Sequence, residues 1–151
     1  MRLEEIVRGA SRAAMTDRPG EAWSAQEHAG HLLDLEALWM ARVDDFLGGS
    51  DTLTAADLTN RRTHDANHNA RELSAILAGF RTARGRLVER VATLQPDVLT
   101  RALVHPRLKQ PMRLVDHLYF VAEHDDHHLA RIWELVRREL RIAPAQLLRR
   151  E

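Results

Sequence analysis

The chain has 151 residues and no cysteine, and its 22 basic and 22 acidic side chains give a formal net charge of zero. These values exclude a disulfide framework, a thiolate zinc site and a cysteine nucleophile, and they leave no global basic field to hold nucleic acid or an anionic membrane. The length fits a single domain over residues 1–151, and a hydrophobic content of 44% suffices for a buried core.

The N-terminal segment carries acidic residues, Glu4 and Glu5, where a secretory signal would be basic and then apolar. No apolar run approaches the ~20 residues that are needed to cross a bilayer. We therefore expect a cytoplasmic protein that acts on a small molecule and binds neither a membrane nor nucleic acid.

Two helices are predicted in the first third of the chain. An apolar stripe at helical spacing begins at Leu3 and is ended by the proline- and glycine-containing breaker at residues 17–20. Ser24 and Glu27 form a capping box, so a second helix should begin near Ser24 and end at residues 48–50.

The rest of the chain predicts two more helices joined by long connections. A polar connection with a short helical piece near 54–60 precedes a third helix over about 73–94. Residues 101–111 contain two prolines and favour an extended or hairpin-like connection, and the last helix, over 113–141, should end before Pro144. The sequence therefore predicts an all-α fold, a four-helix bundle with long crossover connections.

Histidine is the residue type that indicates chemistry, since nine histidines occur in the chain. His124 and His128 lie four apart in the last predicted helix, so both face the same way and can share one metal ion, whose nitrogen ligands lie at roughly 2.1 Å. His31, on the apolar stripe of the second helix, is the best third ligand. His28 should line the mouth of that site or be solvated, and His127, off the stripe, should be exposed or support a ligand.

Other interpretations of the histidines stay open at this point. His124 and His128 could instead be polar residues on the solvent face. His64 and His68 are also four apart, but nothing apolar surrounds them, so a metal there would be open to water; their segment could also fold over the site and contact substrate. His105 is most simply a loop residue. The chain has no HExxH, no Glu-x-x-His for a di-iron centre and no recognisable nucleophile turn for a serine hydrolase.

Carboxylates near the candidate ligands could orient their imidazole rings. Glu27, Asp34 and Asp125 are the candidates, although Glu27 also fits a helix cap because it lies near a helix start. Three histidines leave at least one coordination position for water or substrate, which is typical of a catalytic metal site.

The two histidine segments together resemble the DinB-like superfamily of bacterial four-helix bundles, with its YfiT-like and maleylpyruvate isomerase-like members. The resemblance extends from Trp23 to about Leu140 and includes the proline-containing connection before the last helix. The residues that carry it are Trp23, Ser24, Glu27, His31, Leu32, Asp34 and Glu36, followed by His124, Asp125, His127, His128, Leu129 and Ala130.

The resemblance implies one divalent metal ion, zinc or nickel, held by His31, His124 and His128, and it implies a homodimer. Members with an assigned role include thiol-dependent S-transferases and a mycothiol-dependent maleylpyruvate isomerase, and many others are described as metal-dependent hydrolases. Arg131 departs from the family, which often has glutamine three positions after the last histidine. If Arg131 reaches the site, it favours an anionic substrate.

On the resemblance alone, the preferred function is transfer of a low-molecular-weight thiol to a small electrophile, since a metal ion deprotonates a thiol that binds to it. The chain has no cysteine, so the thiol would be a cosubstrate. The alternative reaction is hydrolysis of a small molecule by water whose pKa the metal lowers toward ~7. A third possibility is a stress-associated dimeric binding module without enzymatic activity.

Overall fold

The structure is a computed structural model that describes residues 1–147, with side chains described for residues 1–138. It contains helices joined by two long connections, over residues 49–72 and 93–113, and the second connection includes a small hairpin. The helices of the described part are α1 (Arg2–Val7), α2 (Arg12–Thr16), α3 (Ala25–Gly48), α4 (Arg61–Asp65), α5 (Leu73–Ala92) and α6 (Leu114–Leu147), with short 3-10 helices at His68–Ala70 and Pro96–Thr100.

The N-terminal apolar stripe forms two short helices. Gly9 adopts a positive φ of 76°, which a residue with a side chain rarely adopts, so the chain turns between α1 and α2. The Ser11 hydroxyl then accepts a hydrogen bond from the Ala14 N–H at 3.0 Å and begins α2. Both helices pack on α6, and α2 also packs on α3, so together they form the fourth element of the bundle.

Helix α3 is the centre of the bundle and begins and ends where the sequence predicts. The capping box of Ser24 and Glu27 is present, and Gly49 ends the helix in the left-handed conformation with a φ of 76°. Helix α3 packs against both α5 and α6. Leu32, Ile76 and Ile132 meet in one half of the core, where each is at most 1% exposed. The predicted all-α four-helix bundle is confirmed.

The connection between α3 and α5 corrects one prediction. Residues 54–60 contain no helix; instead, the Asp57 carboxylate accepts hydrogen bonds from the backbone N–H groups of Thr59 and Arg61, each at 2.9 Å. This local bonding competes with helix formation and delays it to α4, which begins at Arg61. The connection is therefore a polar loop whose later part folds back on α3.

The connection between α5 and α6 contains the predicted hairpin. Strands β1 (Ala102–Val104) and β2 (Pro111–Arg113) pair antiparallel, with Leu103 opposite Met112. The prediction that the last helix ends before Pro144 is wrong, since α6 continues to Leu147; a proline removes one N–H donor from a helix without always ending it. No helix of the described part is long and apolar enough to cross a membrane.

Candidate metal centre

The packing of α3 against α6 brings three of the nine histidines together. His31 comes from α3, and His124 and His128 lie one turn apart on the facing side of α6. One ligand atom from each of the three rings lies within 4.8 Å of the other two. The ring centroids are 4.5 Å apart for His124 and His128, and 4.8 Å apart for His31 and His128.

These three side chains fit a divalent metal ion. Nitrogen atoms that share one zinc ion at about 2.1 Å lie at most about 4.2 Å apart, so a small rotation of the rings places all three on one ion. Burial, together with the neighbouring histidines, lowers the pKa of His128 to about 2 and that of His31 to about 4. Both rings are therefore neutral at pH 7, as metal ligation requires. The Nδ1 atom of His124 is buried and has no hydrogen-bond partner among the described residues.

The orientation and tautomer of His31 are fixed by a buried relay. The Thr63 hydroxyl donates its one proton to Asp34 Oδ2 at 2.9 Å. Thr63 Oγ1 must therefore accept the hydrogen bond from His31 Nδ1, at 3.0 Å, so the His31 proton is on Nδ1. The lone pair of His31 Nε2 is then free for a metal ion. Asp34 thus orients the His31 ring through Thr63.

His68 completes this relay from the loop between α4 and α5. Its Nε2 donates to Asp34 Oδ2 at 2.8 Å, and the side chain is fully buried. Burial alone would raise the pKa of Asp34, but the hydrogen bonds from His68 and Thr63 lower it, so the carboxylate stays ionised. The sequence predicts that a metal ion on His64 and His68 would be open to water; His68 is instead fully buried and bonded to Asp34. Room for its ring exists because residue 30 is glycine: a Cβ there would lie 2.2 Å from His68 Cγ.

His128 is held by a fourth histidine. His28 Nδ1 lies 2.8 Å from His128 Nδ1, so one ring donates to the other. When His128 is the donor, its proton is on Nδ1 and the lone pair of its Nε2 is free for a metal ion. Burial lowers the pKa of His28 to about 4, and both rings are neutral. His28 therefore lies beside the three rings, in contact with His128. Trp23 covers this side, with its ring centroid 4.9 Å from that of His31 and 5.4 Å from that of His28.

A buried ion-pair network lies beside His124. Arg84 of α5 donates to both Glu36 of α3 and Asp125 of α6, with Arg84 Nη2 2.6 Å from Glu36 Oε1 and 3.3 Å from Asp125 Oδ1. Asp125 Oδ1 is 4.0 Å from His124 Nδ1, which is too long for a hydrogen bond. Asp125 therefore acts mainly as the partner of Arg84, and the network joins the three long helices at the level of the site.

Three other predicted site residues do not belong to the group of possible metal ligands. Glu27 caps α3 through Ser24 and pairs with Arg18, Arg18 Nε donating at 2.9 Å, so it serves the helix start. His127 is exposed, with its ring centroid 5.2 Å from that of His128. Arg131 is exposed and pairs with Glu134 at 2.9 Å, pointing along the outer face of α6. None of these three side chains contributes to the group of possible metal ligands.

Sequence reasoning missed Thr63 and a buried arginine, Arg42, and it considered His68 only as a partner of His64. Thr63 and His68 lie in a polar segment with nothing apolar to bury, and only the four-residue spacing of His64 and His68 drew attention to it. His105, predicted as a loop residue, does lie in the turn between β1 and β2, but it is buried, and its Nδ1 accepts the Leu108 N–H at 3.2 Å.

The comparisons with known proteins agree with this architecture. A family model described as the DinB superfamily matches residues 1–132. YfiT from Bacillus subtilis, described as a probable metal-dependent hydrolase with an unusual four-helix bundle topology, superposes with a TM-score of 0.78; it is 23% identical in sequence, over 91% of this chain and 79% of that chain. At that identity the likeness shows the fold. No curated protein matches the sequence significantly.

Proposed function

We propose that this chain, which belongs to the DinB superfamily, is an enzyme that holds one zinc or nickel ion on His31, His124 and His128 and transfers a low-molecular-weight thiol to a small electrophile. The observation that supports it most is the convergence of three imidazoles from two helices within 4.8 Å. Three protein ligands leave an open coordination position, which is typical of catalytic sites.

The ion would lower the pKa of a thiol bound at its open position, so that the thiol reacts as an anion at neutral pH. The chain contributes the geometry. Thr63 and Asp34 hold His31 with its proton on Nδ1, and His28 holds the ring of His128. Trp23 and Trp39 flank the cluster and limit access of water, with the Trp39 ring centroid 5.5 Å from that of His124.

Thiol transfer is favoured over hydrolysis because the nearby carboxylates are already hydrogen-bonded to other side chains. Asp34 is bonded to Thr63 and His68, and Glu36 and Asp125 are bonded to Arg84. In the described part of the chain these acids are committed to structural partners, so none is free to act as the general base that activates water. A metal ion deprotonates a bound thiol fully but lowers the pKa of bound water only to about 7, so thiol transfer depends less on such a base than hydrolysis does. Hydrolysis remains the second candidate, because the structurally similar YfiT is described as a probable metal-dependent hydrolase.

Metal content of untagged protein tests the site. We expect one zinc or nickel ion per chain in the wild type and loss of that ion in His31→Ala, His124→Ala and His128→Ala. The matched control is His64→Ala, which removes an exposed imidazole and should retain the metal. Full metal content in all three ligand variants would refute the assignment of the site.

Activity tests distinguish the reactions. Consumption of a thiol in the presence of an activated aryl halide should require the metal, should stop on chelation and should return when zinc or nickel is added. Chelator-sensitive hydrolysis of activated esters without thiol consumption would favour the second candidate. A metal-loaded protein with neither activity would indicate the binding module.

A further inference from the structure

A cavity of about 510 Å³ adjoins the proposed metal centre. His124 is part of its lining, and its walls are largely apolar, with Leu35, Met112 and Phe120 among them. Arg42 of α3 also lines the cavity. Its Cζ lies 5.7 Å from the Trp39 ring centroid, which is 5.5 Å from that of His124, so the two groups are at most about 11 Å apart.

Arg42 is a buried cation without an ion pair. The residue is 2% exposed, and its Nε donates to the Thr54 carbonyl oxygen at 2.9 Å. Among the described residues, its two terminal nitrogens have neither a hydrogen-bond acceptor nor a carboxylate within 4.0 Å. Asp45, whose charge acts on Arg42 from a greater distance, accepts the Thr54 N–H at 2.5 Å. A buried charge without a partner is costly, so this guanidinium is suited to an anion that arrives from the cavity.

The other polar groups around the cavity are also donors. His105 Nδ1 accepts the Leu108 N–H, so the neutral ring carries its proton on Nε2. The indole N–H of Trp39 is buried and has no acceptor among the described residues. The carboxylate in the lining, Asp57, is already bonded to its own turn. The cavity therefore offers the guanidinium of Arg42 and the Nε2–H of His105 as donors, and the carboxylate in its lining is occupied.

We propose that this cavity binds a small carboxylate with an apolar body, and that the carboxylate pairs with Arg42. The planar guanidinium can donate two parallel hydrogen bonds to it. The apolar walls cover the body of the molecule, and its far end reaches the cluster at His124. The orientation of that end rests on the proposed function, whereas the pairing with Arg42 does not. This substrate class assigns to Arg42 the role in anion recognition that the sequence had suggested for Arg131.

The test compares two probes of nearly equal shape, 4-phenylbutyrate and its neutral analogue 4-phenylbutanamide, by calorimetry or ligand-observed NMR. Wild-type protein should bind the carboxylate at least about tenfold more tightly than the amide, as expected for a charge-assisted hydrogen bond in a buried site. Arg42→Met should remove this preference, and Arg42→Lys should keep part of it. Arg107→Gln, at an exposed arginine that lines the same cavity, is the matched control and should have a much smaller effect.

Equal affinity of the wild type for the two probes would overturn the proposal, and so would unchanged carboxylate binding in folded Arg42→Met. The wild-type comparison and Arg42→Lys keep the test decisive if Arg42→Met does not fold. The same titration in metal-free His31→Ala protein separates this inference from the proposed function. Carboxylate preference there supports the anion site even if the metal site fails. If metal-loaded wild type shows no preference for the carboxylate, the anion site is refuted and the metal site is unaffected.

Discussion

Replacing His117 by leucine should make the stability of the fold less dependent on pH. His117 lies on α6, is fully buried, and packs against Trp39 with a centroid distance of 5.7 Å. Both of its ring nitrogens lack a hydrogen-bond partner among the described residues. Burial, assisted by the nearby charge of Arg42, lowers its pKa from 6.5 to about 4. The folded protein therefore resists protonation of this ring, whereas the unfolded chain does not.

The size of the effect follows from that pKa difference. Between pH 6.5 and about 4 the unfolded chain binds a proton at His117 that the folded chain does not bind, so the free energy of unfolding falls as the pH falls. One pKa unit corresponds to about 1.4 kcal/mol, so His117 accounts for a loss of about 2 to 3 kcal/mol between pH 7.5 and 4.5. Leucine does not titrate, so the variant lacks this pH-dependent loss of unfolding free energy. At pH 7.5 the variant should be at least as stable as wild type, because two unpaired buried nitrogens are removed.

Urea unfolding of metal-free protein at pH 7.5 and 4.5 measures this difference. The wild type and His117→Leu are compared at both values, so that contributions from the other histidines cancel. His64→Gln, which changes an exposed histidine, is the control and should follow the wild type. If the difference in unfolding free energy between wild type and His117→Leu is the same at both pH values, the assigned burial of a neutral His117 is wrong.

Three further substitutions test the supports of the site. Thr63→Val should weaken metal binding about 10- to 100-fold in a chelator competition, because His31 loses the acceptor for its Nδ1 proton, whereas Thr63→Ser should bind as wild type does. Gly30→Ala should cost about 1–3 kcal/mol of unfolding free energy by urea titration, since its methyl group overlaps the His68 ring; an unchanged midpoint would contradict the packing. Arg84→Met should cost about 3–5 kcal/mol at pH 7 and less at pH 4, because the buried Glu36 and the partly buried Asp125 lose their partner. Equal losses at the two pH values would refute that account.

The long helices could be predicted from the sequence because their signals are local. The capping box at Ser24 and the glycine at position 49 can each be recognised from a few consecutive residues, and α3 begins and ends there. The errors occurred where a local signal competes with another. Asp57 binds the backbone of its own turn in place of a helix near 54–60, and α6 continues past Pro144.

The candidate site likewise has features that the sequence predicts and features that it does not. The spacing of His124 and His128 indicates a shared helix face, so a common position for their rings could be predicted. The contacts of Thr63 and His68 with Asp34 join residues about 30 positions apart in the chain. The spacing of residues within one helix does not indicate such a contact. Arg42 could not be predicted either, since a lone arginine on a helix is more often solvated than buried.

The geometry of the metal centre depends on the ion-pair network as much as on the ligands. Glu36 lies about one turn after His31 on α3, and Asp125 directly follows His124 on α6. Arg84 of α5 bonds both carboxylates, so it sets the distance between the two helices that carry the ligands. Burial alone would lower the pKa of Arg84, but the hydrogen bonds that it donates to Asp125 and Glu36 raise it, and the guanidinium keeps its charge. Because these contacts join protein groups on all three helices, they would hold the three imidazoles near one another and so reduce the reorganisation that binding of an ion would require.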